Sequence, residues 1–153
     1  MHSGMSDFIT ADHVFLHNPA TTQEEVMEFI AREAVSLGYA TDAPLLVQAL
    51  NTREAEGSTG MVSGIAIPHA KSSAVQKPLV MVLRFTHPID WETMDKQPVT
   101  CAIALLIPDS SAGEPYLRLL SKLAVGLMSS DFCEVLLTSD DAEKIADTID
   151  ERL

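Results

Sequence analysis

The sequence is poor in cysteine and has no long apolar run, and each shortage excludes a class of protein. Cys101 and Cys133 are the two cysteines in 153 residues, and neither lies in a Cys-x-x-Cys pair or a Cys/His cluster with zinc-ligand spacing. We expect two buried structural thiols in a reducing compartment and no metal site. No run approaches the roughly 18 apolar residues of a spanning helix, and the N-terminus lacks signal-peptide features. The expected location is therefore the cytoplasm, without membrane insertion.

Basic residues are also scarce. Lys and Arg number 10 against 22 Asp and Glu, which gives a formal net charge of −12. Such a chain is repelled by phosphate backbones and anionic lipid headgroups, so nucleic-acid binding is not expected. The acidity either favours a basic protein partner or serves solubility alone, and composition does not separate these alternatives.

Several catalytic signatures are absent. The chain has no Gly-x-Ser-x-Gly elbow, no Walker loop and no dinucleotide-binding glycine fingerprint, since Gly60 and Gly64 do not follow a predicted strand. Acidic residues are abundant, but no pattern singles out a catalytic pair.

The apolar pattern predicts one α/β domain. Thr22 and Glu25 have capping-box spacing before a helix over about 23–37, and Thr41 or Asp42 begins a second helix. Strands are predicted over 61–67, 79–85 and 99–107, and the last lacks polar alternation, as in a central strand buried on both faces. Further helices are predicted to begin near 111–114, 130 and 140. We expect a single domain over 6–153 with a small mixed β-sheet sandwiched by helices on both faces, and residues 1–5 disordered or a cloning remnant.

Two predicted helices have apolar faces that we expect to lie inward. They comprise Leu45, Leu46, Ala49 and Leu50 in the second helix, and Leu117, Leu120, Leu123, Ala124 and Leu127 in the helix after the third strand.

One histidine stands at an unusual position. Pro68 fixes its own φ and restricts Ile67 to an extended conformation, so His69 is predicted at a rigid strand end. Its small neighbours Gly60, Gly64, Ala66 and Ala70 would let another macromolecule approach. Local chemistry leaves a structural histidine open as the alternative. The remaining histidines, for which we expect surface or structural roles, are His2, His13, His17 and His87.

Three segments together resemble a known signature. They are Arg53-Glu54, Ser58-Thr59-Gly60 and Gly64-Ile65-Ala66-Ile67-Pro68-His69-Ala70-Lys71. They resemble the fructose/mannitol-type (type 2) IIA component of the bacterial phosphoenolpyruvate-dependent sugar phosphotransferase system, whose superfamily includes nitrogen-regulatory IIA proteins. The resemblance extends to 88–91 and 117–124, and so covers nearly the whole chain.

The resemblance implies a phosphoryl carrier without cofactor or metal. His69 corresponds to the family histidine, which accepts a phosphoryl group from phospho-HPr as a tele-phosphohistidine. That histidine passes the group to a cysteine of a IIB domain, and sugar is phosphorylated during import by the membrane IIC domain. Arg53 corresponds to the family arginine, and guanidinium binds phosphoryl oxygens well. Its simpler interpretation is a favourable charge at a helix C-terminus. Backbone N–H groups of Thr59 and Gly60 are candidates for a phosphate-binding nest.

One position departs from the family pattern. Where the family often has a second histidine, this chain has Tyr116. A tyrosine hydroxyl can hydrogen-bond phosphate but carries no charge near neutral pH, or Tyr116 merely packs at the start of its helix. Two alternatives to transport follow: a regulatory protein whose partner binding depends on His69 phosphorylation, and a degenerate binding module inactive in transfer.

Overall fold

The two continuous apolar runs of the sequence form the long central strands of a mixed sheet. The computed structural model describes the backbone of residues 8–111 and 114–153 and the side chains of 8–110 and 117–153. The strands within this part are β1 (Val14–Asn18), β2 (Ile65–Ala66), β3 (His69–Ser72), β4 (Leu79–Ile89) and β5 (Val99–Pro108). Their order is β1-β4-β5-β2, and β3 also pairs with β5. Only the β4–β5 pairing is antiparallel among those described.

Helices cover both faces of this sheet. The described helices are α1 (Gln23–Ser36), α2 (Ala43–Glu56), α3 (Glu114–Gly126), α4 (Ser130–Thr138) and α5 (Ala142–Asp150). Apolar side chains of α1 and α2 pack on one sheet face in a cluster that includes Ile30, Leu46 and Leu83. Side chains of α3, α4 and α5 pack on the other face in a cluster that includes Ile103 and Ile149. The predicted sandwich is confirmed, and β5 is the buried central strand.

Short polar side chains begin the helices as their positions predict. Thr22 accepts from the Glu25 N–H at 3.1 Å, and Asp42, rather than Thr41, accepts from the Leu45 N–H at 3.1 Å. Each such cap stabilises a helix by about 1 kcal/mol. The cap predicted over 111–114 extends outside the described residues, as do residues 1–5.

The predicted strand over 61–67 is wrong in its first half. Ser63 and Gly64 have φ of 62° and 75°, a left-handed pair that turns the chain and confines β2 to Ile65–Ala66. The predicted strand end at Pro68 is also wrong, because β3 begins at His69 and continues along β5.

Pro68 interrupts this edge strand without changing its register. Ala66 lies opposite Ala102 and His69 opposite Leu105, so the offset is the same on both sides of the proline. The Pro68 carbonyl still accepts from the Leu105 N–H at 3.0 Å. Proline lacks only the backbone N–H donor, and an edge strand tolerates that loss. His69 therefore begins β3 in register with Leu105 of β5.

Two predicted core residues lie elsewhere. Leu45 and Leu117 are 38% and 60% exposed, whereas Leu46, Leu50 and Leu123 are buried as expected. Both exposed leucines line a surface groove beside β3.

The cysteines are buried and unpaired, as predicted. Cys101 is fully buried and Cys133 is 7% exposed. Burial raises the pKa of the Cys101 thiol to about 12. No helix in 8–111 or 114–153 has the length and apolar content needed to cross a bilayer.

Candidate functional site

The last turn of α2 brings Arg53 against the first residue of β3. The helix continues to Glu56, so Arg53 lies on its final turn. Its Nε–H donates to Nε2 of His69 at 3.1 Å, although 16 residues separate them. Its Nη1 donates to the Gly57 carbonyl at 2.6 Å, which fastens the guanidinium to its own helix end.

The neighbours of the His69 ring specify its tautomer. Nδ1 lies 2.7 Å from the Ile67 carbonyl oxygen, which can only accept. Arg53 Nε can only donate. Neutral His69 therefore carries its proton on Nδ1 and its lone pair on Nε2, beside the guanidinium. Nε2 is thus the nucleophilic nitrogen of this site.

The surroundings favour this neutral form. His69 is only 5% exposed, and burial lowers the pKa of its imidazole from the ordinary value of 6.5. The hydrogen bond to Ile67 opposes the shift, Arg53 lowers the pKa further, and Glu54 raises it. A neutral imidazole at pH 7 retains the lone pair that a nucleophile needs.

A groove of about 750 Å³ opens in front of His69, between α2, β3 and α3. Its described walls carry the cations Arg53 and Lys71, the anions Glu56 and Asp109, and the apolar side chains Leu45, Ala49, Leu117 and Leu120. An apolar wall with two cations near a nucleophile suits an anionic group carried on another macromolecule.

The predicted phosphate nest faces elsewhere. The Thr59 N–H donates to Glu54 Oε2 at 2.8 Å, and the Gly60 N–H donates to Ser58 Oγ at 3.1 Å. Neither residue lines the groove around His69. A phosphate at these N–H groups would have to displace both acceptors, so their phosphate-binding role stays a prediction.

Most of the small residues near His69 serve internal packing. A Cβ on Gly60 would lie 2.1 Å from the Glu92 carbonyl oxygen, so the glycine admits the Glu92 backbone. Ala66 is fully buried. Of the four small residues predicted to admit a partner, only Ala70 lines the groove.

The other candidate residues divide by location. His13 is buried, and its Nδ1–H faces the Phe8 and Val80 carbonyls at 3.2 Å each, a structural role. His17 and His87 are exposed. His2 and the Tyr116 side chain lie outside the described residues, so the role predicted for Tyr116 stays a prediction.

Sequence reasoning missed two contributors to this site. Glu54 binds Thr59 and the Trp91 indole, and Lys71 shares the groove with His69. Both lie inside the segments that carry the family resemblance, and Lys71 follows His69 at the two-residue spacing of side chains on one strand face.

Fold and site together define an α/β protein that presents a nucleophilic histidine and an arginine in one groove. Residues 7–152 match the family model described as "Phosphoenolpyruvate-dependent sugar phosphotransferase system, EIIA 2". The chain belongs to this family.

Individual relatives agree. The fructose-specific EIIA component of Haloferax volcanii is 37% identical over 138 residues, covering 90% of this chain and 89% of the relative. The crystal structure of nitrogen regulatory protein IIA-Ntr from Neisseria meningitidis superposes with a TM-score of 0.80 at 26% identity, covering 91% and 94% of the two chains. A chain of the complex of enzyme IIAMTL with phosphorylated enzyme IIBMTL from Escherichia coli has the same fold. Its TM-score is 0.76 at 19% identity, with coverage of 94% of this chain and 97% of that chain.

Proposed function

We propose that this chain is a cytoplasmic phosphoryl carrier whose reactive atom is Nε2 of His69. It accepts the group from an HPr-like phosphocarrier and passes it to a cysteine of a IIB domain for sugar uptake. The observation that carries the proposal is the paired contact of one imidazole: Nδ1–H on the Ile67 carbonyl and Nε2 on the Arg53 guanidinium. Family membership supports phosphotransfer between proteins.

The chemistry requires only the exchange of one bond at each step. The Nε2 lone pair of His69 attacks phosphorus, an N–P bond forms, and the donor's N–P bond breaks with its electron pair returning to the donor imidazole. In the second step an incoming thiolate forms an S–P bond and His69 recovers its lone pair. Imidazole is both a good nucleophile and a good leaving group, so one residue serves both steps.

Arg53 has two successive tasks in this scheme. Before transfer its Nε–H occupies the same lone pair that must attack phosphorus. An incoming phosphoryl group must therefore enter between the two side chains. The released N–H groups then pair with phosphoryl oxygens, where guanidinium stabilises the charge of the transition state.

The groove supplies the docking features for such partners. Its apolar wall with Leu45 and Leu117 can exclude water, and the net charge of −12 would speed the approach of a basic carrier at low salt. A protein of the same fold has been solved with phosphorylated IIBMTL, which supports a IIB partner here. The IIC domain would be reached only through IIB.

A regulatory function is the second candidate. The relative from Neisseria meningitidis is a nitrogen regulatory protein with 26% identity over nearly the whole chain. In that case phosphorylation of His69 would control binding to a transporter, kinase or transcription factor. The same site chemistry serves both functions, and only the acceptor differs.

The first test is phosphorylation by phosphoenolpyruvate, enzyme I and HPr. We expect labelling that is acid-labile and base-stable and that disappears in His69→Ala. The matched control is His87→Ala, an exposed histidine outside the groove, which should label like wild type. Label that persists in His69→Ala would refute the proposal.

The second test separates the alternatives. Purified phosphoprotein is offered to candidate IIB domains, and loss of label to a IIB cysteine supports transport. A phosphoprotein that keeps its label against these IIB domains but changes its affinity for a regulatory partner supports the second candidate. Absence of labelling in the wild type would support the inactive binding module.

A further inference from the structure

Glu54 holds the loop behind His69 through three hydrogen bonds. Its Oε1 accepts from Thr59 Oγ1 at 2.6 Å, and its Oε2 accepts from the Thr59 N–H at 2.8 Å and from Trp91 Nε1 at 3.1 Å. Thr59 is 3% exposed and Trp91 is 6% exposed. A half-buried carboxylate that accepts hydrogen bonds from three donors is held firmly in one position.

A continuous path of hydrogen bonds leads from this anchor to the reactive ring. The Thr59 carbonyl accepts from the Ile67 N–H at 3.0 Å. The Ile67 carbonyl in turn accepts from Nδ1 of His69 at 2.7 Å. The carbonyl that sets the His69 tautomer therefore belongs to the residue whose N–H binds Thr59, and Glu54 holds Thr59 by two bonds.

The last turn of α2 binds the same loop a second time, through Arg53. Arg53 donates to the Gly57 carbonyl at 2.6 Å, two residues before the Thr59 that Glu54 binds. Arg53 and Glu54, which are consecutive in α2, thus bind neighbouring parts of one loop. Arg53 does so on the side of the His69 groove, and Glu54 on the side of Trp91. Glu54 lines a separate cavity with Trp91 and Asp90, and is absent from the walls around His69.

We propose that Glu54 is a positioning residue for phosphotransfer, resting on the proposed function of His69. It touches no reacting atom. It fixes Thr59, and Thr59 in turn fixes the Ile67 backbone through its N–H. The carbonyl of the same residue then holds the Nδ1–H tautomer, which leaves the lone pair on Nε2 at the groove. Trp91 contributes to this positioning, because its indole N–H orients the Glu54 carboxylate. Positioning groups of this kind typically change activity by about 10–100-fold when removed.

The substitutions Glu54→Met and Glu54→Gln separate positioning from charge. Methionine has no oxygen to accept from Thr59 or Trp91. Glutamine removes the charge, but its oxygen can still accept from the Thr59 and Trp91 N–H groups while its amide N–H donates to Thr59 Oγ1. For Glu54→Met we expect the phosphorylation rate at saturating phospho-HPr to fall about tenfold, with a change in KM for the donor below about threefold. Glu54→Gln should lose less than about threefold in rate. The matched control is Glu28→Met on the exposed side of α1, which should leave both constants unchanged.

A second variant and a double variant test the path itself. Trp91→Phe keeps the ring but removes one donor to Glu54, and a smaller loss of about threefold is expected. In Glu54→Met the Trp91 donor already lacks its acceptor, so adding Trp91→Phe should cost no further rate. The 15N chemical shifts of the His69 ring report the tautomer directly, and Glu54→Met and Trp91→Phe should each move them away from the wild-type Nδ1–H pattern.

The outcomes decide between distinct conclusions. Folded Glu54→Met with wild-type rate and wild-type 15N shifts overturns the inference, and so does a loss confined to KM, which would indicate a docking role. An equal loss of rate in Glu54→Gln also overturns it, because the charge alone would then account for the effect. If Glu54→Met does not fold, Trp91→Phe decides alone: an unchanged rate and tautomer overturn the inference. Each of these results presupposes wild-type label on His69, so absence of that label refutes the proposed function instead.

Discussion

Replacing Arg53 by lysine tests whether geometry or charge matters at this site. Arg53 makes two bonds at once, from Nε to His69 at 3.1 Å and from Nη1 to the Gly57 carbonyl at 2.6 Å. A lysine ammonium is a single point and cannot hold both partners in these directions. The variant therefore keeps the positive charge but loses the planar fork that would meet the phosphoryl oxygens.

The expected magnitude follows from those two bonds. Loss of one preorganised donor to a developing charge costs about 2.7–4 kcal/mol, or about 10²–10³ in rate. The structural share is smaller, because a single hydrogen bond at an exposed helix end is worth about 1 kcal/mol. We therefore expect Arg53→Lys to lose about a hundredfold in single-turnover phosphorylation of His69 while its free energy of unfolding falls by only about 1 kcal/mol.

The assay is rapid-quench transfer from phospho-HPr, paired with urea denaturation of the same samples. Arg32→Lys is the matched control, since Arg32 is exposed on α1, and it should match wild type in both measurements. A transfer rate of Arg53→Lys within about threefold of wild type would refute the reasoning, because charge alone would then suffice.

Two further predictions concern stability. Gly60→Ala should lower the free energy of unfolding by about 1–3 kcal/mol in urea titrations, because its Cβ would meet the Glu92 carbonyl oxygen at 2.1 Å; wild-type stability would show that the Glu92 backbone moves freely. Burial lowers the pKa of His13 from 6.5, so the unfolded chain binds its proton first as pH falls. Stability should be full above pH 6.5 and decline below it by up to about 1.4 kcal/mol per pH unit for this group. His13→Asn should flatten that decline in urea titrations from pH 7.5 to 5, while an unaltered slope would contradict the assignment; His69 is shifted in the same direction, so some slope should remain.

The sandwich fold could be predicted because its signals are local. The apolar run of β5 and the caps Thr22 and Asp42 act on residues a few positions away, and these elements lie where the pattern places them. The errors arose where distant contacts decide. Leu117 has the spacing of a core residue, yet it lines the groove and is 60% exposed.

The sequence by itself determined the family of this protein, because residue types and their spacing carry the signature, and it predicted His69 and Arg53 as site residues. It also predicted that Pro68 would set the backbone before the histidine. Only the tertiary structure decided which contacts place the proton of neutral His69 on Nδ1 and leave the lone pair on Nε2, the nitrogen that the family resemblance implies. Those contacts depend on the Ile67 carbonyl and the Arg53 guanidinium meeting one ring from two sides. The tertiary structure also decided that Glu54 binds Thr59 and Trp91, since hydrogen-bond partners are set by the folded arrangement of loops and not by spacing along the chain.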